Sequence, residues 1–284
     1  MMNESKQARR RNKENVGKED GRDLRLLRRY LRVAPLSRAL IRSREIALIE
    51  EHLSTRDRIL DIGHGDGHFA AVLEEEGIRL FVGLDRSFDE LRRARGRTGT
   101  HLVVGEIEDA PFRKGVFEAA ISNCVLEHVD RIETAFEETT RILKPEGEFL
   151  ATVVSDRYER LLFWPRLLEK IGWNRWRERY LGFLRHRFQH CRYLAPEEWL
   201  RIAASAGFRE EKTEHYIGPW RQRLMDLCLP FMQLARILRF FTGSEVLLPV
   251  RWPAAMIARR LERDDETARS GWAANTLLVM RKQR

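Results

Sequence analysis

The sequence predicts an α/β fold: an open sheet of seven strands with helices on both faces, roofed by a helical lid built from two insertions. Three observations carry this expectation. Short apolar runs alternate with helix-length segments between residues 58 and 154, a spacing that favours parallel strands joined by right-handed crossovers. The first of those runs ends in a glycine-rich turn that opens a helix. After Ser155 the texture changes, and all seven tryptophans and four of the five tyrosines lie beyond that point.

In chain order, residues 1–22 lack apolar periodicity and read as a disordered basic tail. Residues 23–53 form N-terminal helices: Leu24, Leu27 and Leu31 share one face up to Pro35, and a second helix runs from Ser37 to His52. The core unit, 54–155, begins with a strand at Arg58–Ile62 and a helix from Phe69 to Glu76 that Gly77 closes. A strand over Arg79–Leu84, a helix over Ser87–Arg95 and a strand over His101–Val104 follow. The fourth strand is Phe117–Ser122, followed by a helix over Ile132–Leu143, a turn at Pro145 and Gly147, and a fifth strand, Glu148–Val154. Residues 156–195 are a basic, aromatic lid insertion. Residues 196–217 supply a core helix, Glu197–Ala206, and the sixth strand, Lys212–Ile217. Residues 218–272 are a second, amphipathic insertion, and 273–284 hold the last strand and the C-terminus.

Composition narrows the class. With 284 residues, 43% hydrophobic and 33% charged, the chain reads as a globular protein. Its net charge of +9 is unevenly placed. Residues 44–155 carry 14 basic and 23 acidic side chains, whereas residues 1–43 carry 13 and 5, and residues 156–195 carry 10 and 4. An acidic unit with basic appendages can meet phosphate through those appendages. The three cysteines, Cys124, Cys191 and Cys228, have no metal-ligand spacing, so no metal is expected and a reducing compartment is. The basic N-terminus has no apolar stretch of the secretory kind, and no apolar run reaches membrane-spanning length. The expected location is cytoplasmic, including peripheral attachment to the inner face of the membrane.

The informative segment is Asp61-Ile62-Gly63-His64-Gly65-Asp66-Gly67-His68-Phe69. Its glycines let the backbone turn tightly and approach a ligand with no Cβ in the way. Asp85, at the end of the second strand, is placed to accept both hydroxyls of a ribose. Dinucleotide sites prefer G-x-G-x-x-G, with a pyrophosphate on the helix N-terminus. Here the spacing is G-x-G-x-G and Asp61 precedes it, which suits a ligand bearing an ammonium group. No Y-x-x-x-K pair of the reductase type is present, so a nicotinamide enzyme is the weaker reading. His64 and Asp66 are expected to be exposed turn residues.

These residues resemble the class I S-adenosylmethionine-dependent methyltransferases, in particular the branch containing the ubiquinone/menaquinone-biosynthesis enzymes. The resemblance spans about residues 55–155 in five ordered blocks: Asp61–Phe69, Val82–Asp85, Gly105–Phe112, Ser122–His128 and Arg141–Glu148. It implies a Rossmann-like, seven-stranded methyltransferase sheet, with the sixth strand parallel to the first five and the last antiparallel. It implies S-adenosyl-L-methionine as cofactor. Asp61 would hold the methionine ammonium, Gly63, Gly65 and Gly67 would shape the turn, and Asp85 would bind the ribose. Arg86, Glu106 and Ile107 would surround the adenine, with Glu106 in place of the family's usual aspartate, and Asn123 would sit near the methionine end. Glu127 and His128 would brace the fold.

Both insertions leave the carboxyl edge of such a sheet, where ligands bind, and are expected to rise over the cofactor. A sulfonium methyl is already activated, so the reaction is direct in-line transfer and demands chiefly alignment. If a base is needed, His190, His186 and Tyr193 are the candidates, in that order. The aromatic insertions favour a small apolar or lipid-linked acceptor. Leu224–Phe241 reads as a broad apolar face that packs on the core or meets an anionic membrane surface. The competing readings are an RNA methyltransferase, suggested by the basic appendages, and a non-catalytic cofactor-binding or assembly protein. Against RNA, the fourth strand ends in Ser122-Asn123-Cys124-Val125 and not the N-P-P-Y type used on exocyclic base amines.

Overall fold

The computed structural model describes residues 22–32, 34–55, 57–188, 192–242 and 254–284, without the side chains of 231–242 and 254–258. Residues 1–21 of the expected tail and His190 therefore fall outside the described residues, while Arg22, expected in the tail, begins a helix and lies 2.6 Å from Glu50.

The central strands form where the sequence is apolar on both faces. In β1 (Ile59–Ile62) all four residues are buried, and in β4 (Phe117–Asn123) six of seven, as strands covered by helices on both sides must be. Around them lie β2 (Val82–Asp85), β3 (His101–Val104), β5 (Leu143–Val154), β6 (Phe208–Tyr216) and β7 (Asn275–Lys282) in the order β3-β2-β1-β4-β5-β7-β6. β1 to β5 pair in parallel, while β7 pairs antiparallel with both β5 and β6. The sixth strand thus runs with the first five, and only the last is reversed.

Alternation along the strands builds two cores. Ile59, Ala119, Ile121 and Leu150 point to one layer, with α1 (22–30), α2 (Leu36–His52) and α3 (His68–Glu75). Leu60, Ile62, Ala120 and Ala151 point to the other, with α5 (Ile132–Ile142) and α8 (Pro196–Ser205). The short α4 (Phe88–Ala94) follows β2 and is capped by the Ser87 hydroxyl, which accepts from the Glu90 amide at 3.3 Å. The chain crosses from β3 at one edge back to β4 beside β1. The crevice between β1 and β4 is therefore the switch point of the sheet, where open α/β folds bind ligands.

Three strand starts differ from the sequence expectation by three residues or more, and the first is β2, which begins at Val82, three residues later than expected. β6 begins four residues earlier than expected, at Phe208. It is an edge strand whose Arg209–Lys212 stretch is exposed, so charged residues mask the strand pattern there. β5 already begins at Leu143, with Glu146 at φ 61° in the turn that was expected to precede the strand.

The insertions are helical. The first contains α6 (Phe163–Lys170) and α7 (Asn174–Phe188), the second α9 (Pro219–Thr242) and α10 (Ala254–Arg269). Asp226 of α9 binds the first insertion to the second: it accepts from the Trp164 amide at 2.9 Å and from the Tyr180 hydroxyl at 2.5 Å. Leu224 and Leu229 pack against the core and Met225 is buried, so the described start of α9 has its apolar face covered from within. The second half of the Leu224–Phe241 segment lies outside the described side chains.

α9 is anchored by a buried ionic cluster. The Arg221 guanidinium, fully buried, donates to Asp23 at 2.8 Å and Asp265 at 3.1 Å, and lies 3.7 Å from Asp264. Asp264 also accepts from the amides of Trp220 and Arg221, capping the first turn of α9. Arg44 of α2 closes the cluster, 3.6 Å from Asp23 and 3.9 Å from Asp265. One arginine thus ties α1, α9 and α10 together.

Candidate active site

The glycine turn after β1 is held against the end of β2. The amides of Gly63 and His64 both donate to the Leu84 carbonyl, at 2.8 and 3.0 Å. Gly63, Gly65 and Gly67 have φ of 77°, 59° and 77°, left-handed values that L side chains rarely adopt. At Gly63 a Cβ would stand 2.2 Å from a Val125 methyl carbon, so the turn seats directly on the segment after β4. Asp85 completes the frame: Oδ2 accepts from the Gly65 amide at 2.7 Å and Oδ1 from the Ser87 amide at 2.8 Å. Each carboxylate oxygen keeps a further lone pair for a ligand hydroxyl.

Two cavities meet at Gly63. The first, about 400 Å³, is lined by Asp85, Arg86, Glu106 and Ile107, with Val125, His128 and Val129 as one wall and Arg187 and Phe188 of α7 as another. The second, about 430 Å³, is lined by Asp61, Gly65, Asn123 and Phe69 together with Tyr30, Arg38 and Arg42 from α1 and α2. Asp61, Asp66 and Glu90 against Arg38, Arg42 and Arg93 give it both signs of charge. Asn123 is held there by the Thr152 hydroxyl, which donates to its Oδ1 at 2.7 Å, and its carbonyl accepts from Arg42 at 3.5 Å. Arg42 is oriented in turn by Glu45, at 2.7 Å.

His64 corrects the expectation of an exposed turn residue. It is 4% exposed, its Nδ1–H donates to Asp61 Oδ2 at 2.8 Å, and its ring lies over Gly83, where a Cβ would be 2.5 Å from the ring. Burial by itself opposes the charged imidazolium. The hydrogen bond to Asp61 and the charges of Asp61, Asp85 and Asp66 outweigh it and raise the histidine above its ordinary value of 6.5. The stability from this pair is fully present below that ordinary value and is lost as pH rises through the raised one. A urea midpoint that falls between about pH 6 and about pH 9 more steeply in the native protein than in His64→Gln is the expected result. Parallel curves would remove the pair from the account. Asp66 is half-buried, 3.5 Å from Arg38.

Eight of the nine expected cofactor residues line one or other cavity, and Gly67, in the same turn, lines neither. Of the candidate bases, Tyr193 is half-buried and stacked on Tyr158, with ring centroids 5.7 Å apart, and burial pushes it up to about 12. His186 is exposed on α7, and neither it nor Tyr193 lines either cavity. Glu127 is fully buried, which pushes it up to about 8. Of the two insertions expected over the cofactor, the first supplies a cavity wall, and no described residue of the second lines either cavity. Tyr30, Arg38 and Arg42 were not among the expected site residues. The available signal was the pair Arg38 and Arg42, one turn apart on α2 and so on one face.

Residues 60–151 match the methyltransferase domain family. An uncharacterized protein of Methanocaldococcus jannaschii is 33% identical over 112 residues, covering 39% of this chain and 42% of that protein. The malonyl-[acyl-carrier protein] O-methyltransferase of Geobacter sulfurreducens is 33% identical over 104 residues, covering 35% and 39%. The chain thus spans about two fifths of the length of these curated relatives. The crystal structure of an S-adenosylmethionine-dependent methyltransferase from Thermotoga maritima superposes with a TM-score of 0.54 at 20% identity, covering 92% of this chain and 97% of that one, a likeness of fold.

Proposed function

We propose that this chain, which carries a class I S-adenosylmethionine-dependent methyltransferase domain, transfers a methyl group to a small apolar or lipid-linked acceptor beneath the α6–α7 lid. The observation that carries the reading is the pair of cavities meeting at Gly63. Asp85, Arg86, Glu106 and Ile107 fit a nucleoside: an acid for ribose hydroxyls, then a short wall for the base. On the other side, Asp61 fits an ammonium, while Arg38 and Arg42 fit the carboxylate of the same amino-acid end. A dinucleotide would instead place a second phosphate against Asp61 and Asp66.

When bound, S-adenosylmethionine supplies a sulfonium methyl already activated toward a nucleophile. The chain's own residues then have three tasks. The glycine turn and Asn123 fix position, so that alignment supplies most of the rate. Phe188, which lines the first cavity, excludes water there. Tyr193 is the candidate to hold a proton at its phenolic oxygen, and burial, which keeps it neutral well beyond pH 7, suits it to donate a hydrogen bond and not to act as a free base. His190, outside the described residues, is the alternative base. The aromatic character of the lid supports an apolar acceptor.

Methyl-labelled cofactor incubated with the protein, a lipid extract and total RNA tests the acceptor class. Label is expected in the organic phase. Label confined to RNA would replace the lipid-linked acceptor with a nucleic acid while leaving the cofactor assignment standing.

A further inference from the structure

The turn between α6 and α7 carries a patch that the cofactor site does not use. Leu167, Ile171, Trp173, Trp176 and Phe183 are 38–57% exposed, and they are five of the nine large hydrophobic side chains exposed among the described residues. They are held out by a built turn. The Ile171 amide donates to Leu167, the Gly172 amide to Glu169 and the Trp173 amide to Leu168, with Gly172 at φ 76°. That hydrogen-bonded helix stop fixes the angle at which α7 leaves. Along α7, Trp176 and Phe183 are seven residues apart and share a face, while the opposite side buries Leu181 and Leu184.

Basic side chains outnumber acidic ones around the patch, where Glu169 and Glu178 are also exposed. Arg166, Lys170, Arg175 and Arg179 are exposed and have no carboxylate partner among the described residues, and Arg179 stacks 5.4 Å over the Trp176 ring. No helix among the described residues is long and apolar enough to cross a membrane. We propose that the α6–α7 turn is a docking surface for an anionic lipid bilayer, with Trp173, Trp176 and Ile171 entering the headgroup region and the surrounding cations meeting lipid phosphate.

Three arguments favour that occupant. Exposed aliphatic side chains beside tryptophans suit the boundary between headgroups and acyl chains, where indoles concentrate. Single-stranded nucleic acid would use the rings for stacking but would leave Leu167 and Ile171 without a role. A second copy of this chain, related by a two-fold axis, would bring the same unpaired cations against one another. The location adds a consequence that rests on the proposed lipid-linked acceptor. α7 carries the patch at its start and Arg187 and Phe188, which line the first cavity, at its end, about 22 Å away along the helix. An acceptor anchored in the bilayer would then have to span about that distance along α7 to reach the cavity.

The test uses the full chain and phosphatidylcholine vesicles with and without about one third phosphatidylglycerol. Co-sedimentation with the anionic vesicles at low salt is expected, and its loss near 1 M salt, where the screening length falls to about 3 Å. The double variant Trp173→Ala, Trp176→Ala should weaken that binding about tenfold or more. Ile171→Asp is a second probe at an exposed site, and S-adenosylhomocysteine binding should be unchanged in both. No binding to anionic vesicles, or equal binding by the variants, overturns the docking surface and leaves the cofactor site untouched. The same variants losing RNA binding or dimerisation instead would also overturn it, in favour of that partner. Vesicle binding without any S-adenosylhomocysteine binding would sink the proposed function and spare the surface.

Discussion

Arg221→Met is expected to destabilise the protein by about 3–5 kcal/mol, the cost of leaving buried charges without their partner. Against a typical total of about 5–15 kcal/mol that is a large fraction. The arginine is fully buried and serves Asp23, Asp264 and Asp265 at once. Methionine fills much of the volume but leaves three carboxylates together without the guanidinium they share, Arg44 remaining 3.6 Å from Asp23 and 3.9 Å from Asp265. The deficit has a pH signature. Burial already pushes Asp264 up to about 6 against the opposing pull of Arg221. Without the guanidinium the carboxylates are easier to protonate, so the loss should be larger at about pH 8 than at about pH 5. Denaturant midpoints at the two pH values measure both effects. A midpoint unchanged at either pH would mean that the cluster does not anchor α9.

Asp85→Ala is expected to weaken cofactor binding by about ten- to a hundredfold, since a hydrogen bond to a charged acceptor is worth about 1.5–3 kcal/mol. The structure supplies a competing explanation for this acid. Both of its oxygens already accept main-chain amides, from Gly65 and Ser87. A residue that only braced the turn would lower the melting temperature when removed and leave the affinity of a folded variant intact. The ribose assignment therefore requires a raised dissociation constant in protein that melts close to the native temperature. An unchanged constant would return Asp85 to a bracing role.

The parts of the fold legible in the sequence are those whose signal is local. β1 and β4 read as strands because both their faces are buried, and the glycine turn reads as a turn because three left-handed residues need glycine there. The start of β6 was hidden because an edge strand presents Arg209–Lys212 to water. His64 looked like a loop residue because its burial depends on Gly83, from a different strand. The role of Arg38 and Arg42 as cavity residues is hidden for the same reason: α2 is an ordinary helix until it is laid against Asn123, 81 residues away from Arg42. Arg221 and Asp23 are 198 residues apart, and no pattern within α9 announces that pairing. The lid was legible as an aromatic, basic segment, but not which side faces the cavity, since Trp176 and Phe188 are equally aromatic and only Phe188 lines it.

Calorimetry with S-adenosylhomocysteine and NADH tests the central claim most directly, because both ligands carry an adenosine and only the first carries an amino-acid end to reach Asp61, Arg38 and Arg42. Saturable one-to-one binding of S-adenosylhomocysteine, weakened in Asp85→Ala, with negligible heat from NADH, is the predicted result. Tight NADH binding with no response to S-adenosylhomocysteine would contradict it.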